Sequence, residues 1–253
     1  LSPRKHSGNW VELDPGEHRC FLHVRDIFGD WATERGVELH IECLDRPSDS
    51  FVMTEAEMAL RLPKAARMIE QNVARALGYA KRIRQLAGDV NAFGEVVAQG
   101  DRQEDHGASA RAGYLGLVWE IAPNEALIIE GEAIDARYWG IQLYDLWWGA
   151  IDFTFHQSGL NHSQMQIDDG RYRAVLSFED PGVSNWLDPM CTPTGQIMLR
   201  WYDGRRPALP TVRKVKFDEI ASHLPAATPR LTAQQRQNAL PRRQRASRGR
   251  WGY

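Results

Sequence analysis

The sequence predicts a mainly β protein with an inserted helical segment, its C-terminal part an antiparallel sandwich of jelly-roll type. Three observations point there. From residue 113 onward, short apolar runs of strand length follow one another at 114–122, 125–132, 138–144, 164–168, 171–178, 196–202 and 211–217. Turn residues separate them, at Pro123-Asn124, Asp169-Gly170, Asp180-Pro181-Gly182 and Gly204. A phrase from the start of the chain also returns near its end. Asn9-Trp10 precedes Arg25 as Asn185-Trp186 precedes Arg200, and Leu22 and Val24 match Ile197 and Leu199 in phase. Two related β units are the expectation. No Met opens the chain, and its loop phrase has no strand before it, so it is expected to start inside its first unit.

The elements follow in order. Residues 19–27 and 36–44 read as strands, the second alternating Val37, Leu39, Ile41 and Cys43 with Glu38, His40 and Glu42. Arg46-Pro47-Ser48-Asp49-Ser50 breaks the pattern. Thr54 and Glu57 have the spacing of a capping box, in which hydroxyl and carboxylate satisfy each other's backbone N–H groups. Pro63 is expected to end or kink that helix. A second helix is predicted over 64–87, with Met68, Ile69, Val73, Leu77, Ala80 and Ile83 in one stripe and Gly88 as its stop. Residues 88–112 read as loop. Asp169-Gly170 between alternating runs is the clearest hairpin signal, and a short helix is expected at 218–223. The division is then a β remnant (1–46), a helical segment with a loop (47–112), the sandwich (113–225) and a basic tail (226–253).

Charge and composition exclude several classes. Of 31 Lys and Arg, seven lie beyond residue 225, leaving 24 basic residues against 33 acids in the body. An acidic body does not suit nucleic acid. The arginine-rich tail is expected to pack on that body or stay solvated. No apolar run nears the roughly 18 residues of a membrane span. Cys20, Cys43 and Cys191 lack paired spacing, which favours a reducing, cytoplasmic compartment.

Four stretches carry a family resemblance. They are Tyr138-Trp139-Gly140-Ile141-Gln142-Leu143-Tyr144-Asp145, Ser158-Gly159-Leu160-Asn161-His162-Ser163-Gln164, Asp180 through Asp188, and Leu199-Arg200-Trp201. In this order, over roughly 100 residues, they resemble the C-terminal domain of bacterial proteins known as domain of unknown function 1214, often paired with domain 1254. The resemblance implies a multidomain β-sandwich protein with inserted helices and no established reaction.

Candidate chemistry is concentrated between 145 and 168. Trp147 and Trp148 are adjacent, so on a strand at most one faces the core and the other can line a ligand surface. Asn161 and Gln164 are candidate ligand-binding amides. His156 or His162, with Asp152 or Asp168, has the residue types for acid–base catalysis. The same groups are metal-ligand types, but the six-residue histidine spacing fits no standard signature, so no metal is expected, and no cofactor motif is present. Asn9, Trp10, Arg25, Asn185, Trp186 and Arg200 read as fold anchors, because a repeated active site is less expected than a repeated turn. Arg200 is expected to fork onto Asp188 or Asp203. The combined reading is a protein that binds a small apolar or aromatic ligand in a tryptophan-lined cleft. The alternatives are a cofactor-independent hydrolase or lyase using His156 or His162 with Asp152, and a structural protein; the sequence is compatible with a homo-oligomer.

Overall fold

The computed structural model describes residues 24–40, 53–97 and 111–249, together with 7, 10, 11, 16 and 22. In chain order its strands are β1 (Gly94–Val97), β2 (Ala112–Glu120), β3 (Glu125–Glu132), β4 (Ala136–Tyr144), β5 (Gly159–Asn161), β6 (Ile167–Asp168), β7 (Arg171–Ser177), β8 (Trp186–Leu187), β9 (Thr194–Gly204) and β10 (Thr211–Lys216). One sheet has the order β1-β2-β9-β4-β5, the other β10-β3-β7-β6. Every pairing is antiparallel except that of β8, which adds in parallel to β7. The sandwich predicted from strand periodicity is the fold of the molecule.

Alternation decides which side chains fill it. Leu115, Leu117 and Trp119 of β2, Trp139, Ile141 and Leu143 of β4, and Ile197, Leu199 and Trp201 of β9 point inward. They meet Leu127, Ile129, Tyr172, Ala174 and Leu176 of the second sheet in one buried cluster. A fully buried aliphatic or aromatic side chain contributes about 1.5–3 kcal/mol, so this cluster dominates the stability of the fold. The Asp169-Gly170 hairpin forms with both residues at positive φ, 48° and 69°, as a two-residue turn matching strand twist requires.

The other faces of the sheets are covered unequally. Ala126, Ile128, Val175 and Val215 of the second sheet pack under a 3-10 turn (Phe217–Glu219) and α2 (Ile220–His223), where a short helix was predicted. On the first sheet, Val96, Val118 and Met198 pack under Ala80 and Ile83 of α1 (Glu55–Ala87). The capping box at Thr54 and the left-handed stop at Gly88, φ 82°, both form. Pro63 does not end the helix. Ala59, whose carbonyl loses its bond there, is an exposed residue, and strong helix formers flank the proline. The stripe also divides: Met68, Ile69, Val73 and Leu77 are exposed and only Ala80 and Ile83 are buried, because only the C-terminal turns lie over the sheet.

Three differences from the sequence reading have local causes. β1 pairs with β2 inside the segment read as loop. Residues 24–40 contain no strand, although strands were predicted at 19–27 and 36–44. Here side chains take the backbone bonds, with Asp26 accepting from the Val37 N–H at 2.8 Å and Glu34 from those of Gly29 and Asp30. Of the strand phrase in the first copy, Leu22, Val24 and Arg25 are described, and none of them lies in a strand. Arg25 stands exposed on irregular backbone and Trp10 is half-buried. Asn9, Cys20, His23 and Cys43 lie outside the described residues. Finally, the basic tail is a helix, α3 (Ala233–Gly249), which was not predicted; its packing on the body, with Arg236 paired to Asp180 at 2.5 Å, is one of the two expected outcomes.

Candidate functional site

The outer face of the first sheet is not apolar throughout. On β4 it carries Tyr138, Gly140, Gln142 and Tyr144, the phase opposite to the core residues. The strand register sets a row across this face: Tyr114 opposite Arg200, Arg200 opposite Gly140, Gly140 opposite Asn161. Gly140 has no side chain to place between Arg200 and Asn161. A Cβ there would come within 3.1 Å of the Leu160 carbonyl. The gap is the floor of a cavity of about 260 Å³. Its walls are Trp31, Tyr138, Tyr144 and Phe153, with Asn161 and Arg200 at the edge of the floor.

Arg200 is half-buried and has no carboxylate partner among the described residues. Its guanidinium donates to the Tyr144 hydroxyl and lies 5.8 Å from the Tyr144 ring centre and 6.0 Å from that of Tyr114. Burial works against its charge, but Tyr144, Tyr138 and Tyr114 outweigh that and hold its pKa above the usual arginine value. Nearby, burial first and then Tyr114 push the Tyr79 hydroxyl up to about 12. The expected fork onto Asp188 or Asp203 does not form. Asp203 pairs with Arg111, and Asp188 accepts from His156.

Two remote segments hold the walls in place. Asn161 donates its amide to the carbonyls of Phe28 and Gly29, at 3.1 and 2.8 Å, and Ser163 Oγ also donates to Gly29. These bonds bring Trp31 over the sheet. Gln164 accepts from the Asn161 N–H and returns its own N–H to the Asn161 carbonyl, closing the turn after β5. That turn is why the strand expected at 164–168 shortens to β6. From the other side, Arg243 of α3 donates to the carbonyls of Phe153 (2.6 Å) and Gly159 (3.0 Å) and lies 5.2 Å from the Trp31 ring centre. Burial lowers its pKa to about 10, against the opposing charge of Asp152. Trp31 meets Phe153 edge-on at 6.0 Å.

The other predicted site residues are dispersed. Trp147 and Trp148 are both exposed and line neither wall. Trp148 stacks on Tyr144 at 4.8 Å and 11° and meets Tyr79 edge-on, so it backs the tyrosine. His156 Nδ1 lies 2.7 Å from Asp188 Oδ2, not against Asp152. Asp152 caps its own turn by accepting from the Thr154 and Phe155 N–H groups. Asp168 is held by Arg173. His162 packs edge-on against Tyr138, and its Nδ1 is buried without a hydrogen-bond partner among the described residues. The two histidines therefore share no carboxylate, and no group of three or more metal-ligand side chains comes together among the described residues. Asn185 is buried; it accepts from the Gln166 N–H and donates to the Gln166 and Arg173 carbonyls. Trp186 donates to the Ser177 carbonyl and lies under Arg236.

No protein-family model matches this chain, and no curated protein does. Among solved structures, it is similar to an uncharacterised protein from Burkholderia cenocepacia, with 27% identity and a TM-score of 0.50 over 55% of this chain and 39% of that one. A weaker likeness is to a protein from Vibrio parahaemolyticus, at 18% identity and a TM-score of 0.33, over 42% of this chain and 31% of that one. The matched region spans well under half of either protein.

Proposed function

We propose that this protein binds a small organic molecule in the aromatic cavity on the outer face of its first sheet. The observation that supports this is the open-sided cavity of about 260 Å³ that Trp31, Tyr138, Tyr144 and Phe153 line over the bare floor at Gly140. That volume lies just below the roughly 300–1,000 Å³ of sites for drug-sized ligands, so the ligand is a single ring or a short chain. A ligand that binds only the folded state raises stability by about 2.7 kcal/mol at a hundred times its Kd. Thermal melts across a panel of small aromatic and aliphatic compounds should therefore show hits several degrees above the free protein. Phe153→Ala and Trp31→Ala should each abolish those shifts. Hits that survive both substitutions, or a panel with no hits, would contradict the reading.

The family reading is a proposal of the same kind. The four ordered motifs support placing the chain with the domain of unknown function 1214, and three of them contribute to this cavity or to its tyrosine-held arginine. A structure of an established member should show its matching arginine among tyrosines, without a carboxylate partner. A salt bridge in that place would count against it.

A further inference from the structure

We infer that the cavity takes a monocarboxylate, whose charged end sits on Arg200 and whose ring or short chain lies against Trp31 and Phe153. The inference rests on the binding reading above and adds the chemical class of the ligand. Its basis is the contrast between Arg200 and the arginines that meet acids; Arg137 and Arg213, which also have no acid partner among the described residues, are exposed to solvent, whereas Arg200 is not. Arg173 meets Glu130 and Asp168, Arg171 meets Glu130, Arg111 meets Asp203 and Arg236 meets Asp180. Arg200 is half-buried in the floor of a cavity, and its one hydrogen bond among the described residues goes to a neutral phenol.

A guanidinium carries five N–H donors in a rigid fork that matches a carboxylate in bidentate fashion. One bond to Tyr144 leaves most of that fork uncommitted. Arg200 is only partly buried, at the edge of the cavity floor. A half-buried cation with no fixed counter-ion is costly to hold, and a ligand carboxylate would remove that cost. The register explains why the space beside the fork is open, since the residue opposite Arg200 on β4 is Gly140. Among the described residues, neither Lys nor a second Arg lines this cavity. One positive charge suits a single negative charge better than a phosphate dianion. The flat walls suit a ring edge or a short aliphatic chain.

The test is a calorimetric titration of the full chain with matched pairs: benzoate against benzamide, phenylacetate against phenylacetamide, hexanoate against hexanamide. Inorganic phosphate serves as a competitor. At least one acid should bind tenfold or more tightly than its amide, and phosphate should not displace it. Arg200→Met should remove the preference while the amide still binds, and Arg200→Lys should restore part of it. Because the paired comparison is made on the unaltered protein, a variant that fails to fold does not decide the matter. Acids and amides binding equally would overturn the carboxylate inference and leave the binding reading standing. Displacement of the acid by phosphate would assign the seat to inorganic anions and overturn it too. No binding by any member of the panel would overturn both.

Discussion

Arg200 and Asn185 stand in the same repeated phrase and do different work. Asn185 is buried and satisfies three backbone groups of its neighbours. Removing one side of such bonds leaves buried groups unpaired, at about 1–3 kcal/mol each. Asn185→Ala should lower the melting temperature by several degrees and leave ligand affinity unchanged. An unshifted melt would contradict the anchoring role. Arg200, by contrast, has neither of its expected carboxylates, and that difference is invisible in the residue's name. A third residue is measurable through pH. Glu125 accepts from the Ala122 N–H and from Lys214 and Lys216, which hold its carboxyl down to about 2 from an ordinary 4.5. A depressed carboxylate stabilises the folded state fully above its unfolded pKa, and that contribution is lost as pH falls toward the folded value. Urea midpoints measured between pH 5 and pH 2 should therefore fall less steeply for Glu125→Gln than for the parent. Identical slopes would show that the β3–β10 contact contributes nothing to acid stability.

At the scale of elements, short apolar runs bounded by turn residues were legible. β3, β7 and β10 lie within a residue of the runs read from sequence; in β3 and β7 the run is continuous because both faces are buried, one in the core between the sheets and the other under α2. The cavity was only half legible. Asn161 and the motif around Tyr138 could be picked out, but the tryptophans expected to line the cleft do not. The wall tryptophan is Trp31, more than a hundred residues before the strand it covers, placed by the Asn161 bonds to Phe28 and Gly29. Local spacing cannot report such a contact. A signal was present in β4, whose outer phase of Tyr138, Gly140, Gln142 and Tyr144 lacks aliphatics and so does not read as a simple core or solvent face. α3 was half hidden too, since its arginines read as a tail that packs on the body or stays solvated, without a sign that Arg243 makes two backbone bonds beneath the cavity wall. Arg243→Ala should free the 153–159 segment, seen as faster hydrogen exchange at those amides and weaker ligand binding. Unchanged exchange there would remove α3 from the site.

For the molecule as a whole, the sandwich acts as a rigid plate and the site is assembled on its outside. The core between the sheets fixes β4, β5 and β9, hence the row from Tyr114 through Arg200 and Gly140 to Asn161. A loop from one end of the chain and a helix from the other then close over that row. None of the described helices is long and apolar enough to cross a membrane. Histidine chemistry fits this arrangement poorly. His156 is committed to Asp188 and neither histidine lines the cavity, so His156→Ala should leave ligand affinity unchanged in the same titrations. A loss of tenfold or more would return that histidine to the site.

The most direct measurement is the indole N–H region of a nitrogen-15 NMR spectrum, recorded while a small aromatic ligand is titrated in. The Trp31 indole stands in the cavity wall, that of Trp186 is tied to the Ser177 carbonyl, and Trp147 is exposed away from the wall. Binding in the cavity predicts that the Trp31 signal moves and saturates while those of Trp186 and Trp147 stay in place. Saturating shifts at Trp147 with Trp31 unmoved would place the ligand elsewhere and contradict the account.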